Sequence, residues 1–418
     1  MNILFISIID FDSLEERSLY TDLLRALAEV GHRLACVSPV ERRSGKKASF
    51  LTQGSVRILK PLIGNIQKTR PLAKGLALLF LERQLIRAIK RHLPDRFDLA
   101  LYLAPPVTLN GVIDFIKRRD GTATYLMLKD IFPQNAIDLG LIKKGGFFHR
   151  YYAAREKRLY ELSDHIGCMT PANVRFVVEH NPWLAPGRVG LCPNTITPGP
   201  LRAVDRPALR AKYHLPPEAV TFIYGGNLGR PQGVDFIIQA LKSQIVRPDR
   251  SFVICGSGTE FGKLQKFLLK IKPGNIFLFP QQPKEEFEDL AAACDIGLIF
   301  LDHRFTIPNF PSRLLSYLEN GLPVLAATDQ NTDLRQVINE GGFGWWCESK
   351  NPDDFAALVE KALAMKAEFP RLGRLARAYL ENNYRTEVSL KAVLAAATAK
   401  EAVDYPAFEF TAKVAAVP

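Results

Sequence analysis

The chain of 418 residues is 47% hydrophobic and 23% charged, with 28 glycines and 28 prolines, globular proportions that exclude disordered, collagen-like and fibrous readings. No apolar run approaches the ~18 residues a membrane-spanning helix needs. Six dispersed cysteines without a CxxC pair and seven histidines without HxxxH offer neither a disulfide framework nor a metal centre.

The first ten residues, MNILFISIID, lack the basic flank and cleavage site of a secretory signal, which points to the cytosol. The net charge of +12 sits almost wholly in residues 1–200, where 29 Lys and Arg face 18 Asp and Glu. A basic half suits an anionic partner or serves solubility. Nucleic acid is not that partner, because neither a recognition helix nor aromatic-studded strands are present.

In chain order, apolar runs alternate with amphipathic stretches: a strand at 2–8, a helix at Leu19–Val30, a strand at 33–38 and a basic, apolar helix at Gly75–Leu93. Strands at 98–103, 123–128, 165–169 and 188–192 then alternate with helices over Val107–Arg119, 147–163 and Ala172–His180. The rhythm breaks at Pro193–Pro207, whose four prolines predict a linker. It resumes with strands at 220–226, 251–256, 275–279, 295–301 and 323–327, separated by helices from Val234, from Glu260, over Lys284–Ala293 and near Ser312–Asn320. Three helices near Pro352–Met365, Arg371–Glu381 and Thr386–Ala402 and a loosely held tail close the chain. Short apolar runs alternating with helices predict an α/β fold with parallel sheets, and two such halves predict a ligand site at the carboxyl ends of the strands.

Two glycine turns stand out. TFIYGGNLGRPQG (221–233) runs from a buried strand into a glycine-rich turn and a helix, and CGSGTEF (255–261) repeats that design on the next strand. Such turns expose N–H groups beside a helix N-terminus, a place for a diphosphate, with Arg230 complementing the charge. Both are equally compatible with plain strand-to-helix turns. Pro280-Gln281-Gln282-Pro283 follows a third strand, where backbone groups can hydrogen-bond a planar base. In IPNFPSRLLSYLENGLPVLAA (307–327), Arg313 occupies the first turn of a short helix against the helix dipole, which calls for an anionic ligand or a local carboxylate. Asp130 follows the strand ATYLML and is read as a base or acceptor-orienting group, or else as an N-cap or partner of Lys129.

The "DIGLIFL" strand, the "GGNLG…QG" loop and the strand–helix run ending in "GLPV" resemble the C-terminal half of the family 4 glycosyltransferases of the GT-B fold. DSLEERSLYTDLLRALAEVGHRLACVSP and YLMLKDIFPQNAIDLG are similar to the branch that transfers amino sugars in O-antigen and colanic acid assembly. The resemblance spans Met1 to about Val393. It implies two Rossmann-like domains facing a central cleft: 1–198 on the acceptor side, 199–384 binding a nucleotide sugar, and 385–418 returning to the first domain. It also implies retention of anomeric configuration, with neither cofactor nor obligatory metal.

The donor set then comprises Gly225, Gly226, Asn227, Arg230, Gln232, Gly256, Gly258, Pro280 and Gln281, with Ser312, Leu315 and Ser316 on the short helix. Asp130 and Arg313 carry the catalysis, and Glu15, Glu16 and Arg17 line the acceptor side. The chain departs from the family where many members carry two glutamates, here Pro308 and Ser316, and where an Arg and a Lys grip the diphosphate, here Asn227 and Gln232.

The expected activity is hexosyl or N-acetylaminosugar transfer from a UDP-linked donor to a hydroxyl of an oligosaccharide or polyprenyl-diphosphate-linked saccharide. A non-catalytic GT-B subunit and a nucleotide-sugar 2-epimerase are the alternatives. The Gly75–Leu93 helix, with Leu76, Leu78, Leu79, Leu81, Leu85, Ile86 and Ile89 beside Arg83 and Arg87, suits attachment to the anionic inner face of the cytoplasmic membrane, or is an ordinary core helix.

Overall fold

The computed structural model describes residues 1–66, 69 and 71–398. The C-terminal tail and the last residues of the helix expected to run to Ala402 lie outside the described residues. The chain forms two compact units, one of residues 1–197 together with 385–398 and one of residues 198–384.

The first unit contains β1 (Asn2–Ile6), β2 (Arg33–Val37), β3 (Val40–Glu41), β4 (Ser49–Gln53), β5 (Val56–Lys60), β6 (Leu62–Ile63), β7 (Leu99–Ala104), β8 (Ala123–Leu128), β9 (His165–Cys168) and β10 (Val189–Leu191). Its helices are α1 (Leu19–Glu29), α2 (Pro71–His92), α3 (Asn110–Asp120), α4 (Gln134–Asp138), α5 (Phe147–Leu162) and α6 (Pro171–His180). Among the described residues the main sheet has the order β10-β9-β8-β7-β1-β2-β5-β4 and is parallel except for β4 against β5. The five-residue runs are apolar almost throughout because both faces are covered by helices. Ser18 and Thr170 start α1 and α6 by accepting the N–H groups of Thr21 and Asn173.

The second unit opens with α7 (Arg206–Lys212) and continues through β11 (Val220–Asn227), α8 (Val234–Lys242), β12 (Arg250–Ser257), α9 (Phe261–Ile271), β13 (Ile276–Pro280) and α10 (Lys284–Ala292). It closes with β14 (Ile296–Phe300), α11 (Arg313–Glu319), β15 (Val324–Thr328), α12 (Leu334–Gly341), β16 (Gly344–Glu348), α13 (Pro352–Ala364) and α14 (Phe369–Asn383). The sheet order β13-β12-β11-β14-β15-β16, all parallel, reverses direction beside β11. Phe222 and Phe252 stack 4.9 Å apart in its core. The final helix, α15 (Thr386–Thr398), packs on α1 of the first unit.

The proline-rich 193–207 stretch is anchored rather than loose at its start. Cys192 to Thr195 are buried, the Thr386 N–H donates to the Ile196 carbonyl (3.0 Å), and the Thr197 N–H donates to Asp22 (2.9 Å). Threonines supply the hydrogen bonds that prolines cannot, so the chain leaves the first unit at a fixed point.

Candidate active site

In the second unit β11 and β12 run in register through Gly225↔Cys255, Gly226↔Gly256 and Asn227↔Ser257, which sets the two glycine turns side by side. Their glycines have a packing reason. A Cβ on Gly256 would lie 1.9 Å from the Gly226 carbonyl oxygen, and one on Gly258 would lie 2.3 Å from that of Leu228. Gly226 itself has φ +150°, open to glycine alone at little strain.

Asn227 and Gln232 hold this turn together. Asn227 Nδ2 and the Gly229 N–H both donate to Gln232 Oε1, at 2.9 and 3.2 Å. Arg230 is exposed and 3.9 Å from Glu260, so its charge is partly answered within the chain. Ser257 Oγ donates to Gln281 Oε1 (2.7 Å), and the Pro280 carbonyl already accepts from Gln282 Nε2 (3.1 Å) and Cys255 Sγ (3.4 Å).

Arg313 begins α11 and reaches the same strand ends. Its guanidinium sits 4.5 Å from the centre of the Phe287 ring, and that ring covers Gly225 so closely that a Cβ there would be 2.2 Å from it. Among the described residues no carboxylate pairs with Arg313. The ring therefore fixes a positive charge beside the first glycine turn and leaves its hydrogen-bonding edge open to an anion.

Tyr317, one turn later, accepts from the Gly225 N–H and donates to the Ile223 carbonyl, both at 3.0 Å. Ser312 is exposed and caps no N–H, whereas the Ser316 carbonyl accepts from Asn320 Nδ2 (2.8 Å). Leu315, on the same helix, faces inward. It is 1% exposed and its N–H donates to the Ser312 carbonyl, so its side chain belongs to the core. Phe287 and Tyr317 carry no signal in the sequence, because only the folded contacts connect them to Gly225.

In the first unit Asp130 follows β8. Asn135 Nδ2 donates to one of its carboxylate oxygens, while the other, Oδ1, is buried without a hydrogen-bond partner among the described residues, as is Asn135 Oδ1. Burial pushes the Asp130 carboxyl up to about 6. No ion pair joins it to Lys129 among the described residues, which removes the partner role considered from sequence; burial lowers the Lys129 amine instead.

A second acid, Glu156 on α5, carries no signal in the sequence. Burial pushes it up to about 7 although the Tyr160 hydroxyl donates to it at 3.0 Å. Burial first, then the Glu156 charge and, last, that of Asp130 raise the Tyr160 hydroxyl in turn. Two carboxyls poised near neutrality suit proton handling at a hydroxyl.

The 15–17 segment is largely occupied with its own loop. Glu16 Oε1 accepts from the N–H groups of Asp12 (2.7 Å) and Ser13 (3.2 Å), and Arg17 donates to the Thr197 carbonyl (2.8 Å). Glu15 is exposed. The same loop contains a cluster without a sequence signal. Buried Lys60 donates to the Asp10 and Asp12 carboxylates and to the Phe11 carbonyl (2.8 Å), and Lys46 bridges the same acids. Among the described residues no group of His, Cys, Asp and Glu could hold a metal ion.

Two α/β units with paired glycine turns and an arginine at the strand ends are the architecture of a GT-B glycosyltransferase. Residues 205–383 match the family model described as Glycosyl transferases group 1. The chain is a glycosyltransferase carrying a group 1 domain. It is 25% identical over 331 residues to "Probable glycosyltransferase WbjE" of Pseudomonas aeruginosa, covering 78% of this chain and 80% of that one. To the "Putative colanic acid biosynthesis glycosyl transferase WcaI" of Escherichia coli K12 it is 24% identical over 315 residues, 73% of this chain and 74% of that one. The fold is shared with Anabaena Alr3699/HepE, solved in complex with UDP-glucose, at a TM-score of 0.67 and 13% identity over 94% of this chain and 98% of the other.

Proposed function

We propose that the protein transfers a sugar, with retention of anomeric configuration and without an obligatory metal, from a UDP-linked donor to a hydroxyl of an oligosaccharide or lipid-linked acceptor in cell-surface polysaccharide synthesis at the cytoplasmic membrane. The observation that carries this reading is Arg313, stacked on Phe287 beside Gly225 and, among the described residues, paired with no carboxylate. As the donor bond breaks, negative charge grows on the leaving diphosphate. Arg313 and turn N–H groups then stabilise the transition state more than the ground state. Asp130 orients the acceptor hydroxyl through its carboxyl group, whose Oδ1 has no hydrogen-bond partner among the described residues. In retaining chemistry without a covalent intermediate the diphosphate itself can take the acceptor proton, so Asp130 acts as positioner or as base. The polysaccharide assignment draws on the colanic acid relative, and the UDP assignment on the UDP-glucose complex of the fold neighbour.

A second reading, a non-catalytic subunit supporting an active partner, is favoured by Pro308 and Ser316 standing where many family members have glutamates. Thermal shift with UDP, GDP and their sugars tests the donor site, because a ligand at ~100 times its dissociation constant adds roughly 2.7 kcal/mol. Stabilisation by UDP over GDP supports the proposal; no response to any nucleotide contradicts it.

A further inference from the structure

No helix among the described residues is long and apolar enough to cross a membrane. Yet the first unit exposes apolar side chains in two places. On α2, Leu76 (59% exposed), Leu79 (63%) and Phe80 (52%) continue the face that holds exposed Arg83 and Arg87, while Leu81, Leu85 and Ile89 are fully buried. The apolar stretch read from sequence as one leaflet-facing surface is thus divided between core and solvent, and its solvent side is amphipathic. On α5, Phe147 (77%) and Phe148 (63%) form an exposed edge-on pair, with exposed Leu141 just before the helix and Lys143, Lys144 and Arg150 around them. Among the described residues no carboxylate pairs with any of these five basic residues.

The two groups point the same way. The Gly111 N–H at the start of α3 donates to Glu82 Oε1 (2.6 Å), Arg155 lies 3.8 Å from Glu82 Oε2, and Asn110 donates to the Arg155 carbonyl (3.0 Å). So α2 and α5 meet at the N-terminus of α3. Because β7, β8 and β9 are parallel, α2, α3 and α5 all run against them, with N-terminal ends toward the carboxyl edge of the sheet. At a rise of about 1.5 Å per residue, Leu79 and Phe80 lie roughly one turn beyond the meeting point and Phe147 and Phe148 roughly two. Both apolar groups therefore project past α3 on one side.

That side leads to the candidate acceptor residues. Phe132, two residues after Asp130, meets the Tyr152 ring edge-on at 4.9 Å, and Tyr152 stands one turn after Phe148 on α5. Exposed Phe and Leu close in sequence to exposed cations that pair with no carboxylate among the described residues fit the boundary of an anionic bilayer, where rings enter between headgroups and cations meet phosphates.

We propose that the N-terminal ends of α2 and α5 form one bilayer-docking surface for anionic phospholipid, with Phe147 and Phe148 inserted. The inference rests on the membrane-side function proposed above and names the surface responsible. It holds the Asp130 loop at the headgroup level, where the sugar of a lipid-linked acceptor is found.

The test is co-sedimentation of the full chain with vesicles of phosphatidylcholine alone and of phosphatidylcholine with phosphatidylglycerol, with UDP binding measured on each variant in solution. The wild type should prefer the anionic vesicles. Phe147→Ser with Phe148→Ser should lower affinity for them at least about tenfold at both low and high salt, while Arg83→Glu with Arg87→Glu should remove the anionic preference. UDP binding should be unchanged in both variants, which separates this proposal from the donor-site reading. Wild-type sedimentation by the double serine variant overturns it. So does absence of binding to either vesicle by a wild type that binds UDP. A wild-type dimer in solution that the serine changes dissolve also overturns it, because the patch would then be covered by a second copy.

Discussion

Arg313→Ala removes a cation that the fold presents beside the Gly225 turn and that, among the described residues, pairs with no carboxylate. Two contributions are lost. The stack on Phe287 at 4.5 Å is worth about 0.5–1 kcal/mol to the fold at a half-exposed site. The charge-assisted hydrogen bond to a diphosphate oxygen is worth roughly 1.5–3 kcal/mol to binding. Folding stability should therefore fall by no more than about 1 kcal/mol. The dissociation constant for UDP should rise about 10–150-fold. Isothermal titration of UDP into each protein measures the second quantity, and urea unfolding the first. Arg313→Lys is the informative intermediate, because it keeps the charge but loses the planar stack and the forked donors. Wild-type affinity in a folded Arg313→Ala protein would refute the donor site proposed for α11 and the glycine turns.

Asp130→Asn should reduce transfer by roughly 10²–10⁴ with UDP affinity unchanged, and the wild-type rate should fall as pH drops through about 6, where the carboxyl takes up its proton. Its raised value means the folded protein binds that proton more tightly than the unfolded chain. The stabilisation is complete below 3.8 and lost as pH rises through about 6. Urea unfolding at neutral pH should accordingly find Asp130→Asn more stable by up to about 3 kcal/mol, and a less stable variant would contradict the burial argument. Gly256→Ala should cost roughly 3 kcal/mol and weaken UDP binding, since the new methyl meets the Gly226 carbonyl. An unperturbed variant in the same two assays would show that the turns are not so tightly apposed. Lys60→Met should cost about 2 kcal/mol, less than a fully buried pair, because Asp10 and Asp12 remain partly in water. Burial pushes Asp10 up, but hydrogen bonds from Lys60 and Lys46 outweigh it, and the same bonds hold Asp12 down. The contribution of these acids should therefore be present above 3.8 and lost as pH falls below it; equal acid sensitivity in Lys60→Met and wild type would count against it.

What the sequence made legible follows from locality. Apolar runs that end in glycine turns announce β11 and β12 because strand, turn and helix are contiguous in the chain. Arg313 was visible for a related reason, since a cation in a first helical turn opposes the dipole and needs a cause. Phe287 carries no such mark. It is an aromatic residue on an amphipathic helix, and only folding brings its ring onto Gly225. Glu156 reads as a surface acid among Arg155, Lys157 and Arg158, and its raised value comes from burial, which the local pattern conceals. The burial of the Leu315 side chain is hidden in the sequence because the short α11 shows Ser312 and part of Arg313 outward and buries the next face. The β4–β5 hairpin escaped notice because SFLTQ is exposed on an edge strand and lacks the apolar run of a buried one.

The most direct measurement is acceptor-dependent turnover by the full chain. UDP-sugars and GDP-sugars are incubated with it, with and without lipid-linked saccharide extracted from membranes, and nucleotide release is followed together with the anomeric configuration of the product by NMR. UDP release from one UDP-sugar, raised by the lipid acceptor and giving a product of the donor's configuration, is the predicted result. Binding of UDP without release from any sugar donor would contradict catalysis and leave a subunit that supports an active partner.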